Sequence, residues 1–222
     1  MPESILYIIL LAAGASFVQR TIGFGFGIFI MTALPFLMPS YGEDVTLSGL
    51  LSLTSATVVM VKYLKFVTWK RLLPMVGAFI IFSTLAIILL DKIEGRAMRM
   101  ILGIMLIIIS LYFSFFKEKL QKIIRPTRSW QLGTGSVSGI MGGLFGMLGP
   151  PVVLYLISAE PDKDHYMGMI QTYAVVTNIT MLAVRAFSGY VTPAVGSAYL
   201  YGLAGLVIGV AAGNWAYKRI PG

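Results

Sequence analysis

Two glycine-rich strings decide the fold: Gln19–Gly27, which reads QRTIGFGFG, and Gly139–Pro151, which reads GIMGGLFGMLGPP. They lie inside the two longest apolar stretches, Ile5–Met38 and Leu132–Ser158. As one helix the second stretch would measure about 40 Å, whereas the hydrocarbon core of a bilayer is about 30 Å thick. Neither stretch holds two full spans. Each is therefore predicted to be a tilted, broken helix or a re-entrant hairpin.

Two prolines fix the position of the second break. Pro150 and Pro151 remove two backbone donors and hold the preceding residue in an extended conformation, so the helix should end at or near Gly149. Non-helical backbone at membrane depth is tolerated only inside protein or against a wet cavity. The break is therefore predicted to line a site. The alternative is a structural kink that packs through Gly135, Gly139 and Gly143.

The composition favours a membrane protein. Of 222 residues, 57% are hydrophobic and 12% are charged, with a mean hydropathy of +0.85. This excludes a soluble globular enzyme, a disordered chain and a nucleic-acid-binding domain. Five further apolar stretches have the length of single spans: Val45–Leu64, Leu72–Leu90, Met98–Phe116, Met167–Phe187 and Ala194–Tyr217. The predicted fold class is an all-α polytopic membrane protein.

The basic loops predict the orientation of the first half. Two loops are rich in basic residues, Lys62, Lys65, Lys70 and Arg71 in one and Lys117, Lys119, Lys122, Arg125 and Arg128 in the other. Both should be cytoplasmic. The Glu43–Asp44 loop has no basic residue and should lie outside, and the Asp91–Arg99 loop follows it by alternation. The orientation of the second half stays open, because its Glu160–His165 loop is acidic.

The two halves of the chain, 1–129 and 130–222, are predicted to be repeats of about four helical segments. An offset of 119 residues relates Gly23 to Gly142 and Gly27 to Gly146. The fourth segment of the first half has no counterpart, so the second repeat is expected to lack its final helix, through truncation or an early end. Such repeats are typical of transporters. They are parallel if the long stretches span and inverted if they are re-entrant, and the lengths favour inverted repeats.

Arg20 is the only charged residue between Glu3 and Glu43. A charge at membrane depth is costly and usually marks a pathway or a partner. Arg20 is predicted to contact an anion beside backbone N–H groups that the glycines free from the helix. The alternative is an arginine that snorkels to the interface at a helix end.

Polar residues inside the spans extend this candidate site. Gln171 and Asn178 are seven residues apart and share one helix face, and Ser52 corresponds to Gln171 at the repeat offset. Contacts to a substrate or between helices would both explain them. Arg185 ends the same span and is interpreted as an orientation signal.

The remaining residues supply little chemistry. All nine acidic residues are expected in termini or loops, so no buried carboxylate is predicted to relay a proton. No metal or other cofactor is expected, since the chain has no cysteine and its single histidine, His165, is expected in a loop.

With these glycine strings the sequence resembles the TauE/SafE family of sulfite and organosulfonate exporters. The strings are Gly23-Phe24-Gly25-Phe26-Gly27 and Gly142-Gly143-Leu144-Phe145-Gly146-Met147-Leu148-Gly149-Pro150. The resemblance implies a two-fold repeat and transport of small sulfur-containing anions across a bacterial or archaeal cytoplasmic membrane.

The resulting hypothesis is a secondary transporter with its site between the two broken helices, working by alternating access. The expected substrate-binding residues are Arg20, Gly23, Gly25, Gly27, Ser52, Gly142, Gly143, Gly146, Gly149, Gln171 and Asn178. The expected partners are a small anion and the lipid bilayer, not nucleic acid, and a homo-oligomer is compatible with the sequence. A passive anion channel, a membrane-embedded enzyme and a non-transporting assembly subunit or sensor are the alternatives.

Overall fold

The computed structural model describes residues 2–90, 92–115, 123–160 and 162–219, and these form nine α-helices. The first five are α1 (Pro2–Ile22), α2 (Phe26–Ile30), α3 (Tyr41–Tyr63), α4 (Trp69–Leu90) and α5 (Gly95–Phe115). The other four are α6 (Arg128–Phe145), α7 (Pro150–Ala159), α8 (Lys163–Phe187) and α9 (Pro193–Tyr217). Short 3-10 turns follow α2 at Leu34–Phe36 and α3 at Leu64–Phe66.

The predicted all-helical membrane fold is confirmed. Five helices are long and apolar enough to cross a bilayer, namely α1, α3, α4, α8 and α9. Two shorter apolar pieces, Phe26–Phe36 and Pro150–Ala159, belong to the two broken stretches. Of the basic residues used to predict orientation, Lys117, Lys119 and Lys122 lie outside the described ranges.

The first long stretch breaks between α1 and α2. Gly23 and Gly25 have φ angles of +92° and +95°, a left-handed conformation that favours glycine because it has no Cβ. After the break α2 folds back along α1, where Gly25 lies beside Val18 and Phe29 beside Gly14. The stretch is therefore a hairpin with one long and one short arm.

The second long stretch breaks between α6 and α7. Gly146 ends α6 at a φ of +65°, and extended Gly149 precedes the prolines that begin α7. The helix α7 folds back along α6, since Ser138 Oγ donates to Gly149 O at 3.2 Å and Gln131 Nε2 donates to Tyr155 Oη at 2.9 Å. The predicted break near Gly149 is confirmed, and this stretch is also a hairpin.

The structure corrects the prediction that no carboxylate is buried. The helix α3 begins at Tyr41, four residues before the predicted Val45, because Ser40 and Glu43 form a reciprocal capping box. Glu43 and Asp44 therefore lie in the first turn of α3, 7% and 0% exposed. The Ser-x-x-Glu pattern in the sequence was the signal for this earlier start.

His165 also lies in a helix and not in the predicted loop. It occupies the first turn of α8, which Asp162 caps by accepting hydrogen bonds from the backbone N–H groups of His165 and Asp164. These bonds, led by the one from His165, lower the pKa of the Asp162 carboxyl.

Three helix pairs form the body of the molecule, and their contacts give their directions. In α3 and α8, Val45 pairs with Arg185 and Ser52 with Asn178, so the two helices are antiparallel. The helix α6 runs parallel to α4, and α9 runs parallel to α1. The hairpins consequently enter the molecule from opposite ends, with α1 parallel to α3 and α6 parallel to α8.

Close packing in the two parallel pairs depends on glycine. Gly135, Gly139 and Gly143 of α6 lie against the backbone of α4, where an added Cβ would come within 2.5 to 2.7 Å of carbonyl oxygens. Gly205 and Gly209 lie in the same way against the backbone of α1, and Gly213 lies against the side chain of Arg20.

One end of the molecule collects basic residues from both halves. This basic end comprises the ends of α1, α3 and α9 and the starts of α4, α6 and α8. It holds Lys62, Lys65, Lys70, Arg71, Arg125, Arg128, Lys163, Lys218 and Arg219. Arg71 and Glu160 form a salt bridge of 2.7 Å there, which links the two halves. The positive-inside rule predicts that the basic end is cytoplasmic.

Candidate functional site

The two hairpins meet where their helices break. A Cβ on Gly27 would lie 2.5 Å from the carbonyl oxygen of Gly146 and 2.7 Å from Met147 Cα, so the two backbones are in contact. Beside this contact lies a cavity of about 10 Å³. It is lined by Gln19, Gly25, Phe26, Gly27, Ile28, Ser52 and Leu148.

A network of buried amides fixes the first break. Gln171 Nε2 donates to the carbonyl oxygen of Gly23 at 2.8 Å, and Gln19 Nε2 lies 3.5 Å from Gln171 Oε1. Both glutamines are fully buried. Gln19 Oε1 accepts no hydrogen bond from any residue in the described part of the chain. Gln171 thus joins α8 to the first hairpin.

Asn178 of α8 and Ser52 of α3 contact each other, about two helical turns after Gln171 along α8. Asn178 Nδ2 donates to Ser52 Oγ at 3.3 Å and to Ala174 O at 2.8 Å. Ser52 also lines the cavity, whereas Asn178 reaches it only through Ser52. Near the second break, Ser48 Oγ donates to Gly146 O at 3.4 Å.

The two short helices present different backbone groups to this region. The N–H groups of Phe26, Gly27 and Ile28 form the first turn of α2 and have no acceptor within the helix. The start of α7 offers fewer free N–H groups, because Pro150 and Pro151 have none and Val152 N donates to Ser138 Oγ at 3.4 Å. Donors facing the cavity therefore come mainly from the first hairpin.

Arg20 lies at the basic end, outside the lining of the cavity. Its Nε donates to Asn214 Oδ1, and its guanidinium carbon lies 4.3 Å from the ring centroid of Tyr217. The residue is 3% exposed, and its Nη1 makes no hydrogen bond to the described residues. Arg20 is thus buried between helix ends. Lys163 Nζ lies 4.0 Å from the centroid of the same Tyr217 ring.

Gly142 and Gly143 lie within α6 and not in the break. Their carbonyl oxygens accept hydrogen bonds from Arg185 Nη2 at 3.2 and 2.9 Å, and Arg185 Nη1 donates to Val45 O at 2.8 Å. Arg185 is fully buried. Its interpretation as an orientation signal is wrong, because it is buried and binds the C-terminal end of α6, where the carbonyl groups carry partial negative charge.

The polar groups that line the cavity are neutral. An amide, a hydroxyl and backbone N–H groups line it, and none of its lining residues is charged. Such groups suit the oxygen atoms of an anion that stays intact. A volume of about 10 Å³ holds at most one water molecule, so the hairpins are closed on each other in this structure.

Sequence reasoning missed two residues of this region. Gln19 lines the cavity, whereas the sequence predicts a site residue only at its neighbour Arg20, which carries the charge. Ser138 was not singled out either, although it bonds both Gly149 O and Val152 N. A polar residue directly before a glycine break was the available signal for Gln19.

Comparison with known families matches residues 8–222 to the family described as sulfite exporter TauE/SafE. No curated protein and no solved structure matches the chain.

Proposed function

The chain belongs to the sulfite exporter TauE/SafE family, and from this premise we propose that it carries sulfite or an organosulfonate by alternating access. The family is one of membrane transporters and not of enzymes, and it implies export of a small sulfur-containing anion. A prokaryotic cytoplasmic membrane is the proposed location.

The two halves, 1–129 and 130–222, are proposed to be inverted repeats. The helices α1, α3 and α4 of the first half correspond to α6, α8 and α9 of the second. If the two halves are exchanged, the parallel pair α1–α9 becomes the other parallel pair, α6–α4. The antiparallel pair α3–α8 becomes α8–α3, which is the same pair. Because α3 and α8 are antiparallel, the axis that exchanges them lies across the helices. This arrangement supports the inverted form, which is common in secondary transporters.

The proposed anion site is the cavity between the hairpins. The oxygens of the anion would accept hydrogen bonds from the first turn of α2, the Gln19 amide and the Ser52 hydroxyl. Gln171 and Asn178 would hold Gly23 and Ser52 in position, and Gly25, Gly27, Gly146 and Gly149 would allow the close approach of the two breaks. Gly142 and Gly143 would act indirectly, through their packing in α6 and through the hydrogen bonds that their carbonyl groups accept from Arg185.

Arg20 is proposed to attract the anion at the basic end. A buried cation with an unpaired N–H group raises the local concentration of anions, and Lys163 adds to its field. The anion would leave this cation and enter a site of neutral donors, from which it can dissociate more readily than from a buried charge.

Access to the site requires that the hairpins separate. Sulfite has four heavy atoms and does not fit a cavity of about 10 Å³, so this conformation is closed to it. We propose that rocking of one half against the other opens the contact between Gly27 and Gly146 towards each side in turn.

The observation that carries the proposal is the meeting of two glycine breaks at a cavity lined by polar groups. The test is flux of labelled sulfite into liposomes that contain the purified protein, corrected with protein-free liposomes. Gln171→Leu should reduce the flux by about tenfold, since it leaves the buried Gly23 carbonyl unpaired at a cost of about 1–3 kcal/mol.

Gln131→Leu is the matched control, because Gln131 is also a buried amide but bonds Tyr155 away from the cavity. Its flux should stay near that of the wild type. Unchanged flux in both Gln171→Leu and Asn178→Ala would remove the proposed site. Flux that never exceeds equilibration with the outside solution would indicate a passive channel.

A further inference from the structure

Asp44 is the one buried carboxylate in the described ranges whose oxygens have no hydrogen bond. Its side chain is 0% exposed, and neither Oδ1 nor Oδ2 accepts a hydrogen bond from the described residues. The nearest cation is Arg99 of α5, whose Nη2 lies 4.0 Å from Oδ2. Arg99 itself is 39% exposed, so the pair lies at the border of the buried region.

The neighbouring carboxylates are held differently. Glu43 accepts hydrogen bonds from Ser40 at one oxygen and from Thr192 Oγ1 at the other. Glu160, at the basic end, accepts one from Arg71 at 2.7 Å. Their positions are explained by capping and by a hydrogen-bonded salt bridge, whereas Asp44 has only the longer ion pair with Arg99 and its place in the first turn of α3.

A carboxylate in this position can be accommodated in two ways. A charged carboxylate without hydrogen bonds is costly to bury unless a cation stays beside it. A protonated carboxyl is neutral and does not require the cation. The protonation state of Asp44 therefore decides whether Arg99, and with it α5, is held close to α3.

The surroundings of Asp44 connect it to the second glycine break. The next residue, Val45, accepts a hydrogen bond from Arg185 through its carbonyl group and packs its side chain against Gly146. The titratable and charged groups that interact with Asp44 are Arg99 on α5 and Glu43 and Tyr41 on α3. Arg185 on α8 interacts with Tyr41, and Tyr190, in the loop that follows α8, lies against Gly42. A shift at the start of α3 would thus reach the point where the hairpins meet.

We propose that Asp44 binds the proton that couples anion transport to a pH gradient, an inference that rests on the proposed transport function. In one conformation an Asp44 oxygen takes a proton from water on the side opposite the basic end, and Arg99 is released. In the other conformation the carboxyl returns the proton to water on the side of the basic end, and its charge pairs with Arg99 again. The anion passes through the cavity without exchanging this proton.

Two assays on the same liposomes separate coupling from transport. The first is exchange of labelled for unlabelled sulfite at equal pH on both sides, which needs the anion site but no net proton movement. The second is accumulation of labelled sulfite driven by an imposed pH gradient, corrected with protein-free liposomes for passage of the neutral acid. Asp44→Asn should keep the exchange and lose the gradient-driven accumulation, and Asp44→Glu should recover part of the accumulation.

Glu160→Gln is the matched control, a carboxyl-to-amide change at a buried residue on the basic end, and both activities should persist in it. Gradient-driven accumulation that survives in Asp44→Asn, or exchange lost together with accumulation in folded Asp44→Asn, would overturn the proposal. Wild-type protein that exchanges sulfite but shows no gradient-driven accumulation would also overturn it, whether or not the variant folds. Wild-type protein without exchange would contradict the transport function itself.

Discussion

The two buried arginines in the described part of the chain, Arg185 and Arg20, make different kinds of contact. Arg185 directs hydrogen bonds at the carbonyl groups of Val45, Gly142 and Gly143. Arg20 has one amide partner and two aromatic rings, and one of its nitrogens is without a partner among the described residues. We therefore propose that Arg185 stabilises the fold and that Arg20 attracts the anion.

This assignment predicts the effect of removing Arg185. Arg185→Met leaves three buried carbonyl groups without their charged donor and should lower the free energy of unfolding by about 3 kcal/mol. The measurement is thermal unfolding of the purified protein in detergent. Arg128→Met is the control, because Arg128 is exposed and should tolerate the change. Equal melting temperatures for the two variants would contradict the assignment.

At Gly27 the structure predicts a loss of transport. The Cβ of Gly27→Ala would collide with backbone atoms of Gly146 and Met147, which cannot rotate away as a side chain can. Sulfite flux should fall by about tenfold, since overpacking of this kind costs about 1–3 kcal/mol in the closed state. Gly196→Ala is the control, because nothing lies within 4 Å of a Cβ there. Wild-type flux in Gly27→Ala would show that the closed contact is not part of the cycle.

Residue types predicted the candidate site only in part. Gln171 and Ser52 were selected as polar residues in apolar spans, and the structure places both at the cavity or the first break. Gly142 and Gly143 were selected from the same string as Gly146 but face α4 and Arg185, because the helix continues to Phe145 before it breaks. A string of glycines does not reveal which of them ends the helix.

At the scale of helices, the α4–α6 pair is held by its glycine face, since lipid-exposed helices gain little from apolar side chains and pack instead through close backbone approach. Gly139→Leu should separate the pair, because its Cβ would lie 2.7 Å from the Phe79 carbonyl oxygen, and should destabilise the protein by about 1–3 kcal/mol or more.

The same helix offers a matched control. Gly133 has nothing within 4 Å of an added Cβ, so Gly133→Ala should leave stability unchanged or raise it by up to about 1 kcal/mol through helix propensity. Thermal unfolding of both variants in one detergent is the measurement. A similar loss in both would mean that close packing against α4 is not what makes Gly139 sensitive to substitution.

At the scale of the whole molecule, the structure predicts the sidedness of both halves. Because the chain has no cysteine, single-cysteine variants report accessibility cleanly. A membrane-impermeant thiol reagent added outside intact cells should label Lys92→Cys and Val191→Cys and should leave Lys65→Cys and Arg219→Cys unlabelled. Labelling of Arg219→Cys but not Val191→Cys would contradict the antiparallel relation of α3 and α8.

The sequence by itself determined the fold class, the positions of most spans and the two breaks. These follow from local physics: apolar length, the missing donors of Pro150 and Pro151, and the conformational freedom of glycine. The start of α3 was also encoded locally, in the Ser40–Glu43 capping box. This capping pattern indicates a helix that begins before Asp44 and includes it.

Only the tertiary structure decided which of these elements touch. The contact between Gly27 and Gly146, the burial of Asp44 near Arg99, and the bonds from Arg185 to the end of α6 join residues far apart in the chain. The orientation of the second half, left open by its mixed loop charges, follows from the antiparallel packing of α3 and α8. Periodicity and composition act within one segment, whereas these relations depend on how segments from both halves pack, which no single segment specifies.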